Sequence, residues 1–317
     1  ILMAPTEILA DQHFINAKRI LTPLGYQVDL IRSGLKKAEK QAALDRVASG
    51  ETQVVIGTHA LVEEQTVFRK LGLVIVDEQH RFGVVQRLQL IAKGESPNTL
   101  VMTATPIPRT LAMTLYGDLD LSVIDEMPPG RTPIRTTHAT ERDAERTYAT
   151  IRKELDEGRQ CYVVYPLIEE SEKIDLKSAV EGFQHLSEVF AGKRLALLHG
   201  RLKSEEKESI MRAFAAGEID ILVSTTVIEV GVDVANATVM LIEHAERFGL
   251  AQLHQLRGRV GRGAHQSLCI LMTGPNYGDV ARQRIKAMVS SNDGFKLAEI
   301  DLQLRGPGEM AGTRQSG

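Results

Sequence analysis

Residues 35–58 line up with residues 202–225 at a constant offset (217 − 50 = 167), and this internal repeat constrains the fold more than any other feature of the chain. Lys36 falls on Lys203, Glu39 on Glu206, Lys40 on Lys207, Gly50 on Gly217, Glu51 on Glu218 and Thr58 on Thr225. With one residue deleted (247 − 81 = 166), Arg81-Phe82-Gly83 then falls on Arg247-Phe248-Gly249. The simple reading is two copies of one lobe. Coincidence is the alternative, because capped amphipathic helices followed by Gly-Glu and a strand are common. A length of 317 residues accommodates two lobes, since single cores stop growing near about 250–300 residues.

Each copy alternates strand and helix. In the first, residues 1–4 read as the end of a strand, Thr6 as an N-cap with Glu7 well placed in a first turn, and a helix follows to residue 21. A strand over 28–31, an amphipathic helix over 36–48 stopped by Gly50, and strands over 53–57 and 100–102 continue the pattern. In the second, helices over 142–157 and 204–215 alternate with strands over 161–165, 195–198, 219–223, 239–242 and 268–272. This alternation predicts an α/β protein with two parallel, doubly wound sheets in tandem. Pro128, Pro129, Gly130 and Pro133 cannot continue a helix or a central strand, which places the linker within 126–135.

The chemistry concentrates where Leu71, Leu73, Val74, Ile75 and Val76 end abruptly in Asp77-Glu78-Gln79-His80. A near-continuous apolar run suits a strand covered on both faces, and such sheets bind ligands outside the carboxyl ends of their strands. Of two adjacent acids, one can hold the water shell of a magnesium ion on a nucleotide triphosphate while the next polarises the attacking water. A solvated acidic turn is the alternative. Neighbouring strands end in Thr58-His59 and Thr103-Ala104-Thr105-Pro106. In the second copy no acidic pair stands at the Asp77 position, and Gln255-Leu256-Arg257-Gly258-Arg259-Val260-Gly261-Arg262-Gly263 interleaves arginines with glycines instead. A guanidinium from a second lobe can stabilise charge on a transferring phosphoryl group. Thr225-Thr226 and Gly231-Val232-Asp233 suit phosphate and ribose, or turn capping.

A net charge of −3 excludes a globally basic nucleic-acid binder, so a nucleic-acid surface must be a local patch. Cys161 and Cys269 both lie in apolar runs and read as reduced core thiols. No apolar run approaches the roughly 18 residues of a membrane helix, and the expected location is cytoplasmic.

Asp77-Glu78-Gln79-His80, Thr103-Ala104-Thr105 and Gln255 to Arg262 resemble the ordered motifs of superfamily 2 helicases. Met3 to Ala10, Asp77 to Gly83, Ala245 to Gly263, Arg305-Gly306-Pro307-Gly308-Glu309 and Gly312 to Gly317 resemble, more narrowly, the RecG family of branched-DNA helicases. The resemblance implies RecA-like lobes over 1–127 and 128–275, then a helical hairpin (281–290, 295–302) and a translocation-motif loop within 276–317. It implies an ATP- and Mg²⁺-dependent helicase or translocase that remodels forks and Holliday junctions. Asp77 would be the Mg²⁺-linked acid and Glu78 the water-activating base, with Gln79 and His80 sensing the nucleotide. Gly231, Asp233, Gln255, Arg259 and Arg262 would contact nucleotide, Arg262 being the preferred finger. Thr103, Ala104, Thr105, Arg305, Arg314 and Gln315 would couple hydrolysis to motion. Pro5, Thr6, Thr58, His59, His199, Gly200 and Thr225 would track the DNA strand without reading bases. The partner would be branched double-stranded DNA, with single-stranded DNA-binding protein a candidate second partner, acting on a monomer away from membranes.

The chain departs from the family in one respect: no Gly-x-x-x-x-Gly-Lys-Ser/Thr loop occurs in it. That loop and the wedge domain are expected upstream of Ile1, which makes residues 1–317 alone a poor ATPase. Two rivals stand beside this reading. One is a transcription-repair coupling factor, against which Pro307, Glu309 and Thr313-Arg314 tilt. The other is a motor-derived DNA-binding module without ATPase activity.

Overall fold

The computed structural model describes residues 1–104, 119–127, 131–166, 172–225 and 234–305, with His80, Val84, 172–177, Ser204 and Arg305 described by backbone alone. Contacts divide the chain into a first unit over residues 1–104 and a second holding the described residues from 119 onward.

In the first unit β1 (Leu2–Met3), α1 (Glu7–Leu21), β2 (Val28–Ile31), α2 (Lys37–Ser49), β3 (Val54–Gly57), β4 (Leu73–Val76), α3 (Val84–Ile91) and β5 (Asn98–Val101) follow in order. The sheet order is β2-β3-β1-β4-β5 and every pairing is parallel. Thr6 caps α1 as its sequence suggests, its hydroxyl accepting from Leu9 N at 3.4 Å. Ala10, Phe14, Ala17 and Leu21 recur at helical spacing and cover one sheet face with Val28 and Ile56. Ala43, Leu44 and Val47 of α2 join Met3, Ile31, Val74, Val76 and Leu90 in the other layer. Each fully buried aliphatic side chain there contributes about 1.5–3 kcal/mol.

The second unit runs β6 (Arg135–Thr140), α4 (Ala144–Asp156), β7 (Gln160–Val164), α5 (Glu172–Val189), β8 (Leu195–Leu198), α6 (Ser204–Ala215), β9 (Ile221–Ser224), β10 (Ala237–Ile242), α7 (Leu250–Arg257) and β11 (Leu268–Thr273). Two more helices, α8 (Asp279–Ser290) and α9 (Gly294–Arg305), follow. Its parallel sheet has the order β6-β11-β10-β7-β9-β8. Taken from the β8 edge, the sequence β8-β9-β7-β10-β11 repeats that of the first sheet, with β6 added beyond it. The internal repeat is therefore a structural duplication. Its punctuation is duplicated too: Gly50 after α2 and Gly217 after α6 adopt left-handed backbone, φ 81° and 76°, which a side chain resists.

Cys161 and Cys269 are free and buried as expected, and burial pushes the Cys269 thiol up to about 12. Ile151, Leu155, Val163, Leu186, Ile221 and Leu241 surround Cys161 in one core. Four elements escaped the sequence reading. Strand β6 begins at Arg135, where the linker was expected to end, and as an edge strand it buries only Ala139, so its Thr-rich sequence lacks an apolar signal. Helices α3, α5 and α7 were missed; α7 buries Leu250, Leu253, Leu256 and Arg257, but it is only eight residues long and lies between glycines. Among the described residues no helix is long and apolar enough to cross a membrane.

Candidate functional site

The acidic stretch leaves the sheet where the pattern of apolar residues said it would. Asp77 N donates to Met3 O at 2.9 Å and Gln79 N to Met102 O at 3.1 Å, so the turn after β4 is held between the ends of β1 and β5. Asp77 Oδ1 accepts from Glu78 N at 2.9 Å and Asp77 Oδ2 lies 2.8 Å from His13 Nε2. Glu78 occupies left-handed backbone, φ 47° and ψ 54°, a conformation costing a non-glycine residue about 1–2 kcal/mol. Its Oε2 faces Ala104 N at 3.4 Å. Gln79 is buried, with its side-chain carbonyl accepting from Arg87 Nη1 at 3.0 Å. Burial holds the Arg81 guanidinium below its usual range, partly offset by Glu78.

His13, Arg87 and Ala104 N–H thus orient Asp77, Gln79 and Glu78 respectively. Ala104 had been grouped with the coupling motif, whereas His13 and Arg87 went unnoticed. Nothing local could have revealed His13, which sits 64 residues from Asp77. Two adjacent carboxylates at one strand end would suit a magnesium ion that keeps most of its waters, the usual way such an ion accompanies phosphates. They do not suit a protein-caged metal, since among the described residues no group of three or more metal-binding side chains forms.

The expected strand-tracking residues sit at strand ends. Thr58 and Thr225 follow β3 and β9, and both hydroxyls are buried without a hydrogen-bond partner. His59 Nε2 lies 3.4 Å from Ser33 Oγ, and Gly200 O accepts from Lys207 Nζ at 2.7 Å. Burial, then Lys207 and Arg201, hold His199 below the usual imidazole range. Pro5 precedes Thr6, whose hydroxyl already serves as the α1 cap.

In the second unit Arg262 is exposed, with Nε donating to Gly258 O at 3.2 Å. Arg259 is half-buried and, like Gln255, lies on or just after α7. Arg257 differs from its neighbours. It is 2% exposed, and Nη1 donates to Met288 O at 3.0 Å and Ser291 O at 2.7 Å, fastening α7 to the end of α8. Gly261, at φ 76°, leaves no room for a Cβ beside Ile134. Thr105, Gly231, Asp233, Arg314 and Gln315 lie outside the described residues, as does the Arg305 side chain; Thr103 and Ala104 directly follow the strand β5 region.

Known proteins resemble this chain over nearly its whole length. Residues 1–114 match the DEAD/DEAH box helicase family, 146–264 the helicase conserved C-terminal domain, and 291–317 the ATP-dependent DNA helicase RecG, domain 3, C-terminal family. The chain is 56% identical over 317 residues to the ATP-dependent DNA helicase RecG of Synechocystis, covering all of this chain and 38% of that protein. It is 52% identical to the protein of that name from Bacillus subtilis, covering 46% of it. The chain therefore spans less than half the length of these curated relatives. A solved structure of RecG bound to a three-way DNA junction superposes with a TM-score of 0.82 at 48% identity, covering 98% of this chain and 40% of that one. The helicase MrfA bound to DNA and AMPPNP, at TM-score 0.62 and 18% identity over 95% of this chain and 48% of its own, shares the fold. The chain belongs to the RecG family of superfamily 2 helicases.

Proposed function

We propose that this chain is the two-lobed motor segment of an ATP-dependent DNA helicase that remodels branched DNA, such as stalled forks and Holliday junctions, in recombination and repair. The observation that carries the reading is the end of β4, where Asp77 is oriented by His13 and Glu78 is held beside Ala104 N–H. Mg²⁺ carried in with ATP would neutralise phosphate charge there. Asp77 would hold that ion, and the His13 contact keeps the carboxylate aimed, as outer partners of metal ligands do. Glu78 takes the proton of the attacking water. Gln79, pinned by Arg87, and His80 sense the nucleotide. Gly231, Asp233, Gln255, Arg259 and Arg262 contribute nucleotide contacts, with Arg262 supplying the transition-state charge. Arg257 takes no part, because the residue is 2% exposed and its Nη1 is held by Met288 O and Ser291 O. Thr103, Ala104, Thr105, Arg305, Arg314 and Gln315 couple the cycle to movement.

The DNA contacts fall to Pro5, Thr6, Thr58, His59, His199, Gly200 and Thr225. Thr58 and Thr225, at equivalent places in the two units, are 2% and 1% exposed, so they would act by shaping the strand-facing loops and not by touching DNA with their hydroxyls. The segment works as a monomer in the cytoplasm, a setting that fits its two reduced, buried thiols, with single-stranded DNA-binding protein a candidate partner.

The test is Glu78→Gln in a polypeptide that carries this stretch together with a phosphate loop. Turnover falls by about 10²–10⁴ while nucleotide binding persists; retained turnover removes Glu78 from the mechanism. Stronger stimulation by forked than by linear DNA supports the branched-DNA reading, and equal stimulation sinks it.

A further inference from the structure

The second unit contains an open pocket of about 400 Å³ that the proposed motor does not use. It opens at the carboxyl ends of β6, β7, β10 and β11, and Glu141, Tyr148, Tyr165, His185, Glu243 and His244 are among its lining residues. This is the part of an open parallel sheet that binds ligands. Glu243 stands in the repeat where Asp77 stands in the first unit (243 − 77 = 166), so each unit carries a carboxylate at the same strand end.

The two carboxylates have different surroundings. Asp77 is met by His13 and by Glu78 N–H. Glu243 N–H donates to Val164 O at 2.9 Å, and no described residue donates to its carboxylate; the residue is only 9% exposed, and what its carboxylate presents it presents to this pocket. A carboxylate with little water around it and no partner from the protein favours a cationic guest over water alone. The rings of Tyr148 and Tyr165 line the same pocket, and no Lys or Arg is among its described lining residues. An anion would be repelled, and a neutral apolar guest would leave Glu243 unpaired. A metal ion lacks ligands, since no cluster of three metal-binding side chains forms among the described residues.

We propose that this pocket binds a small organic cation of the polyamine class, its ammonium or guanidinium head on the Glu243 carboxylate and its stem against the Tyr148 and Tyr165 rings. The site would respond to pH. Burial, reinforced by Glu141 and Glu246, pushes the Glu243 carboxyl up to about 7. The other titratable groups facing it are His244 beside it in the chain, Tyr148 of α4, Tyr165 after β7, and Glu181 and His185 of α5. Below pH 7 the carboxyl is protonated and must lose its proton to receive a cation. Affinity therefore rises with pH through this window and binding releases a proton.

Calorimetric titration of this chain with agmatine, whose own groups do not titrate near neutrality, tests the proposal. Saturable one-to-one binding is expected at pH 8, weaker by about tenfold at pH 6. Repeating the titration at pH 7 in two buffers of different ionisation enthalpy should show about half a proton released per agmatine bound. Glu243→Gln should weaken binding by about tenfold or more and remove the pH dependence. Glu141→Gln, at an exposed position, should weaken it less. Absence of saturable binding at pH 8, equal affinity at pH 6 and 8, no proton release, or unchanged binding by a folded Glu243→Gln protein each overturns the proposal. If Glu243→Gln loses its cooperative thermal transition, the proton count and Glu141→Gln decide.

Discussion

In the first unit the turn after β4 carries Asp77 and Glu78; in the second the turn after β10 carries Glu243 and His244. Both turns place the second residue in left-handed backbone, φ 47° for Glu78 and 49° for His244. Both are followed by a short 3₁₀ turn and by a helix that starts after a glycine and is closed by a glutamine side chain, Gln86 onto Gly83 N and Gln252 onto Gly249 N at 3.1 Å each. Duplication has thus kept a backbone path and its hydrogen bonds while the side chains at its tip diverged. One copy meets its carboxylates with His13 and with the Glu78 and Ala104 N–H groups. The other buries a single carboxylate with none. A second divergence lies deeper. Asp29 of β2 receives both Arg46 Nε and Nη2 of α2, at 2.9 and 2.6 Å, as well as the Thr52 hydroxyl. The equivalent positions of the second unit (29 + 167 and 46 + 167) are Ala196 and Ala213. The same strand and helix positions hold an ion pair in one unit and alanines in the other, so the pair is not a requirement of the fold.

Breaking the functional half of this comparison has the largest expected effect. Arg262→Ala, in a polypeptide that also carries a phosphate loop, should lower DNA-stimulated ATP turnover by about 10³–10⁵. A loss of less than tenfold would move the finger role to Arg259. The carboxylate contrast predicts opposite stability changes. Glu243 is raised to about 7 in the folded state, above its unfolded value near 4.3. Its favourable contribution is complete below that unfolded value and is lost as pH rises through 7. Glu243→Gln should therefore unfold about 2–3 kcal/mol harder than the parent at pH 8, with the difference vanishing near pH 4, as urea melts at the two pH values would reveal.

Asp29 behaves in the reverse sense. Although burial works against its charge, the Arg46 and Thr52 hydrogen bonds hold its carboxyl below the usual range. Its contribution is present above the unfolded carboxylate value and is lost as pH falls through the depressed one. Because the Arg46 side chain is 33% exposed, Asp29→Asn should cost about 1–2 kcal/mol rather than the larger penalty of a fully buried pair. Importing the second unit's solution, Asp29→Ala with Arg46→Ala, should cost less than Arg46→Ala alone, and a double-mutant cycle checks this. The smallest effect expected is at the glycine caps. Gly217→Ala should cost about 1 kcal/mol from backbone strain alone, since nothing lies within 4 Å of an added Cβ. Gly50→Ala should cost slightly more, because Arg69 Cδ would lie 2.6 Å away and must move.

Much of the fold was legible because its signals are local. Val28–Ile31, Leu195–Leu198 and the helix Ser204–Ala215 lie where their apolar pattern and flanking glycine placed them. Edge strand β6 was not, because an edge strand covered on few positions carries no apolar run. At the site, Asp77, Glu78 and Gln79 were legible as an abrupt change from apolar to charged residues. Their orienting partners His13 and Arg87 were not, because each lies on a helix whose docking sets the contact. Glu243 escaped notice for a related reason: a single acid after an apolar run is ordinary, and only burial without a partner marks it out.

The amino-acid sequence by itself determined the alternation of strand and helix, the duplicated lobe, the caps at Thr6, Gly50 and Gly217, and the strand end that delivers Asp77 and Glu78. These follow from side-chain periodicity and backbone preference, which act over a few residues. Only the tertiary structure decided that Asp77 meets His13, that Arg257 fastens α7 to α8 while Arg262 stays exposed, and that Glu243 is buried without a partner. Those outcomes depend on how elements far apart in sequence pack, and burial and pairing are properties of the packed chain rather than of any local stretch.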